Sequence, residues 1–82
     1  MDPSWTPTLT ELDRMVLRLS ATGLVTGEVA ERLGLSSDEV REHIRAAMAA
    51  LGARSKLEAV LLALRWGLIH LPTGEGEPTP LP

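Results

Sequence analysis

Apolar residues recur along this chain at three- and four-residue intervals, and each run is bracketed by a hydroxyl residue before it and a glycine after it. Leu12, Met15, Val16 and Leu19 fall between Thr10 and Gly23, and Val29, Ala30 and Leu33 between Thr26 and Gly34. Val40, Ile44, Ala47 and Leu51 fall between Ser36 and Gly52, and Leu57, Val60, Leu61 and Leu64 between Ser55 and Gly67. A Ser or Thr oxygen satisfies free amides at a helix start, and glycine accepts the left-handed backbone that ends one. The pattern therefore predicts four helices, over residues 11–22, 27–33, 37–51 and 56–66. Ser36 with Glu39 and Ser55 with Glu58 have the spacing of capping boxes, and Thr10 with Asp13 has the same form with a shorter acid. No alternation of period two is sustained and no Asn-Gly or Asp-Gly turn occurs, so the expected fold is all-α.

Prolines set the limits. Pro3 and Pro7 keep residues 1–8 out of the first helix as an N-terminal extension, and residues 72–82, rich in Pro, Gly and Glu, read as a disordered tail. Residues 9–71 are left as one domain. The chain of 82 residues has room for no second one, and at 44% hydrophobic and 23% charged it is globular in composition. So short a chain buries a small core, which calls for very regular helix packing or oligomerisation. Having no cysteine, the chain excludes disulfides, cysteine zinc sites and thiol catalysis. Its two histidines, His43 and His70, are 27 positions apart and make no metal site, and no spacing of Ser, His and Asp marks a nucleophile with its base. Neither an enzyme nor a cofactor-binding protein is expected. The N-terminus has no apolar signal segment and the longest apolar runs are six residues, so a cytoplasmic protein with no membrane partner and no small-molecule ligand is expected.

The net charge of −3 argues at first against a phosphate-rich partner. Its distribution removes the objection: all eight cations lie between residues 9 and 71 with eight acids, and the excess comes from Asp2, Glu75 and Glu77 in the flanks. Within the neutral domain, Ala30, Gly34 four residues on and Val40 six beyond that have the spacing of a helix-turn-helix. A small residue permits close approach, the glycine turns the chain, and a branched residue pins the second helix on the first. Other small helical hairpins show the same spacing.

The wider sequence is more specific. Leu9-Thr10, Val16-Leu17-Arg18-Leu19, Gly23-Leu24, Val29-Ala30-Glu31-Arg32-Leu33-Gly34-Leu35-Ser36, Val40-Arg41, His43 and the run from Leu51-Gly52-Ala53-Arg54-Ser55-Lys56-Leu57 to Glu58-Ala59-Val60 resemble the LuxR/GerE-type helix-turn-helix domain. The resemblance covers about residues 9–69. It implies a four-helix domain of a bacterial transcription regulator that binds double-stranded DNA, with the third helix in the major groove and the fourth forming a homodimer. Most members attach the domain to a receiver or ligand-binding domain, so this chain resembles a stand-alone, GerE-like member. Carried over by position, the base-contacting residues would be Arg41, Glu42 and Arg45, and the phosphate-contacting residues Thr26, Ser37, Arg54 and Lys56. Arginine suits the first role because a guanidinium grips a guanine edge with two hydrogen bonds. Glu42 could accept from a cytosine amino group or repel the backbone.

The chain departs from the family pattern at three places. Glu39 stands where Thr is usual, Val25-Thr26-Gly27 replaces a polar-basic stretch, and Ala50 replaces Lys. A carboxylate at Glu39 fits beside phosphates only if it folds back onto the Ser36 amide. The third helix holds two cations against three acids, a poor footing where affinity rests on phosphate neutralisation, so modest affinity per domain is expected. Arg41 and Arg45 also have a blander reading as solvated charges bridged by Asp38 and Glu42. In the fourth helix, Leu57, Val60, Leu61 and Leu64 are assigned to the core. A second face of Ala59, Leu62, Ala63 and Trp66 is assigned to the dimer, unless Trp5 and the N-terminal segment cover it. The competing function is a protein-interaction module of the same fold with little DNA affinity, binding RNA polymerase or a larger regulator.

Overall fold

The computed structural model describes residues 8–71, which form four helices and, among those residues, no strand. They are α1 (Glu11–Ala21), α2 (Thr26–Leu33), α3 (Ser37–Leu51) and α4 (Lys56–Arg65). Trp5, most of the N-terminal extension and the expected disordered tail lie outside the described residues. No helix is long and apolar enough to cross a membrane.

The capping chemistry explains where the helices start. Thr10 Oγ1 accepts from the Asp13 amide at 3.0 Å while the Asp13 carboxylate accepts from the Thr10 amide at 3.1 Å. Ser36 and Glu39 do the same at the head of α3, at 3.0 and 2.8 Å. In α4 only half the expected box forms: Ser55 Oγ accepts from the Glu58 amide, but the Glu58 carboxylate reaches the Arg54 amide at 2.7 Å. α2 starts one residue earlier than the sequence predicts. Glu28 takes the Val25 amide at 3.0 Å, which makes Val25 the cap and puts Thr26 in the helix. At the other ends, Thr22 and Trp66 are caps, so α1 and α4 are each one residue shorter than expected. Ser36→Ala should cost about 1 kcal/mol, the usual worth of such a cap. A drop of roughly 4–8 °C in Tm is expected, and an unchanged Tm in a thermal melt would contradict the capping role.

Packing divides into two clusters, and α3 belongs to both. Its first half places Val40 and Ile44 against Val29 and Ala30 of α2 and Val16 of α1. Its second half places Ala47 and Leu51 against Ala59, Val60 and Ala63 of α4 and Leu17 of α1. Met48 lies against both. Val16 and Leu17 are adjacent, about 100° apart around α1, and each fills a different cluster with no exposure. The expected face of α1 therefore needs correction: Leu17 is a core residue, while Leu12 and Met15 are only partly buried.

The face of α4 is also corrected. Ala59 and Ala63, assigned to a dimer, are fully buried inside the domain, whereas Leu57 and Leu61, assigned to the core, are 68% and 56% exposed. Small side chains at Ala59, Ala63 and Ala47 bring α4 close to α3, so the alanine face turns inward and the larger leucines turn out. Leu62 is half-buried against the core and Trp66 is partly exposed at the helix end.

Among the described residues, one polar residue is buried with the core. Asp13 is buried while capping α1, and its second oxygen, Oδ1, lies 2.7 Å from Nδ1 of His43 in the middle of α3. An ionised carboxylate only accepts, so Nδ1 carries the donated hydrogen. His43 is thus a packed, hydrogen-bonded side chain, as its place beside the inward stripe suggests, and His70 is exposed.

Candidate nucleic-acid interface

Three residues, Gly34-Leu35-Ser36, join α2 to α3. Gly34 takes φ +71° and ψ +32°, the left-handed region where a Cβ is strained, and the reversal lets the Leu35 amide donate to the Ala30 carbonyl at 2.9 Å. Beyond the turn, Ser36 caps α3 and Val40 is fully buried beside Ala30. Ala30, Gly34 and Val40 therefore perform the three tasks that their spacing requires of a helix-turn-helix.

Docking α3 through Val40, Ile44, Ala47 and Leu51 fixes which residues look outward. Arg41 and Arg45 project from the other side, their side chains 54% and 64% exposed, on neighbouring turns. Neither is tucked into the core. Each is paired on its own helix: Arg41 Nη1 donates to Asp38 Oδ1 and Arg45 Nη1 to Glu42 Oε2, both at 2.7 Å. The bridging that the blander reading of these arginines requires is therefore present, on a surface that also leaves them accessible. Glu39, the acid most at odds with a phosphate-facing position, folds back onto the Ser36 amide.

The four residues assigned to phosphate all lie at helix starts. Thr26 and Ser37 are the first residues of α2 and α3, half-buried, beside the unpaired amides and positive dipole end that favour an anion. Arg54 and Lys56 flank the start of α4 and are exposed, with Arg54 Nε 4.0 Å from Glu58. Among the described residues no cluster of three or more His, Asp or Glu side chains could hold a metal.

Sequence reasoning located the outward face of α3 but missed that of α4. The signal was available: alanines four apart, 59 and 63, facing a helix that also carries an inward alanine mark a close crossing. The Asp13–His43 contact, across thirty positions of sequence, left no local signal.

Comparison with known proteins agrees with this geometry. Residues 7–63 match the family model of bacterial regulatory proteins, luxR family. Over 65 residues the chain is 38% identical to the spore germination protein GerE of Bacillus subtilis (strain 168), covering 79% of this chain and 88% of that protein. The fold is similar to the solved structure of the transcription factor GerE, with a TM-score of 0.73 and 29% identity over 76% of this chain and 92% of that one.

Proposed function

Because the chain belongs to the luxR family of bacterial regulatory proteins, we propose that it reads double-stranded DNA as a homodimer, with α3 in the major groove. The chain is a helix-turn-helix regulator and not an enzyme. Arg41, Glu42 and Arg45 face base edges, with each guanidinium suited to a guanine. Thr26, Ser37, Arg54 and Lys56 hold the phosphates that fix the register. The observation that carries this reading is the outward projection of Arg41 and Arg45 from a helix whose opposite side is buried through Val40 and Ile44.

The dimer seam is assigned to the exposed side of α4, where Leu57 and Leu61 lie one turn apart and leave apolar surface uncovered. Trp66 at the end of α4 adds partly exposed apolar area. Ala59 and Ala63 take no part, being buried within one subunit. A two-fold dimer presents two α3 helices to one face of a duplex, so half-sites should repeat at about 10–10.5 bp or a multiple.

Selection from random duplexes at low salt, with the solution mass measured alongside, tests both parts. A dyad sequence and a dimeric mass are expected, and Leu61→Glu should give a monomeric mass. Selection of a single half-site by a monomer would remove the dimer. Failure to bind any duplex would overturn the DNA reading in favour of the protein-interaction module, which the acid-balanced surface of α3 would then serve.

A further inference from the structure

We infer that Asp38 and Glu42 are positioning residues that set DNA specificity: each holds its arginine in a fixed pose for a guanine edge. The inference rests on the DNA reading above. The contacts of the two arginines are asymmetric. Each carboxylate engages one Nη1 only, at 2.7 Å, and neither Arg41 nor Arg45 makes another hydrogen bond or ion pair among the described residues. Nε and Nη2 therefore remain for an outside acceptor. A guanidinium has five N–H donors in a rigid plane, so it can keep its carboxylate and still present two parallel donors to the O6 and N7 of guanine.

The two pairs are alike in build. In each the acid precedes the arginine by three positions, 38 to 41 and 42 to 45, and so sits one turn nearer the N-terminus on the same face of α3. Both carboxylates are well exposed, Asp38 at 93% and Glu42 at 75%, so burial does not explain their presence. Fixing a long, mobile side chain before binding removes the cost of ordering it on the DNA, a gain realised only where the pose matches a base. On an arbitrary sequence the held arginine finds no matching edge. Repulsion between the two carboxylates and the phosphates weakens binding to every sequence alike, so the matched pose alone separates one affinity from the other. Glu39 does not share this role, because its carboxylate is occupied by the Ser36 amide.

The prediction separates specific from general binding. The double variant D38N/E42Q should bind its selected duplex about three- to tenfold more weakly, because the arginines lose their hold. It should bind a random-sequence duplex of equal length about threefold more tightly, because two negative charges are gone. The ratio of the two affinities should therefore fall roughly tenfold or more, within the range that single contacts contribute to discrimination. E11Q/E31Q, which removes two exposed acids from α1 and α2, is the charge-matched control and should leave that ratio unchanged within about twofold.

Affinities are measured on the full chain by fluorescence anisotropy, with thermal melts confirming the fold and E42Q alone as a second, mid-helix variant. If D38N/E42Q shifts both duplexes by the same factor, or matches E11Q/E31Q, the effect is charge alone and the positioning role is overturned. If the wild-type chain binds no duplex, the DNA reading itself has failed. That outcome is visible before any variant is made.

Discussion

Replacing Arg41 and Arg45 together with alanine is expected to abolish measurable binding to the selected duplex. A good bidentate contact to guanine contributes about 1–3 kcal/mol, so losing both costs about 2–6 kcal/mol where the losses add, a weakening of about thirtyfold or more. Because the two lie on neighbouring turns of one helix, the losses need not add, and each single variant is measured alongside. The fold should survive. Both side chains are more than half exposed, and their pairs with Asp38 and Glu42 are surface ion pairs worth at most about 1 kcal/mol each. Anisotropy titrations and a thermal melt on the same preparation give the two readouts. An affinity reduced by less than threefold would exclude this face of α3 as the reading surface.

Leu17→Ala should have the largest effect on stability. Leu17 has no exposed surface and lies where α1 meets α3 and α4, so its truncation leaves a cavity that three helices border. Such changes cost about 2–5 kcal/mol. A domain of this size is stable by roughly 3–10 kcal/mol, so much of the margin disappears. Urea denaturation should show the loss as a lower midpoint, with Leu19→Ala, at a half-buried position, losing clearly less. A cost below 1 kcal/mol would mean that Leu17 does not fill the core as described.

The two experiments probe parts of the molecule that were unequally legible in the sequence. The helix-turn-helix was readable because each of its requirements is local: a small residue at 30, a left-handed turn at 34, a cap at 36 and a branched apolar residue at 40 all sit within eleven positions. The fold-back of Glu39 followed from the same local chemistry. Leu17 and the two sides of α4 were harder, because periodicity gives the spacing of an apolar face but not its direction when a helix is apolar on more than one side. Position 17 falls off the stripe formed by Leu12, Met15, Val16 and Leu19, and only the arrival of α4 gives it a second cluster to enter. In α4, the volume available at the crossing decided between alanine and leucine, and that volume belongs to the neighbouring helix. At the candidate site, the pairing of Arg41 with Asp38 and of Arg45 with Glu42 was foreseeable from three-residue spacing, whereas the hydrogen bonds left unused on each guanidinium were not.

Asp13 joins distant parts of the chain in one event. Its carboxylate closes the first turn of α1 through Thr10 and also holds His43 on α3. Fraying of the first turn, normally a local and inexpensive opening, is here coupled through that contact to the middle of α3. Amide hydrogens at the start of α1 and around position 43 should therefore exchange with solvent as one cooperative unit, which ties the outer edge of the domain to the middle of α3.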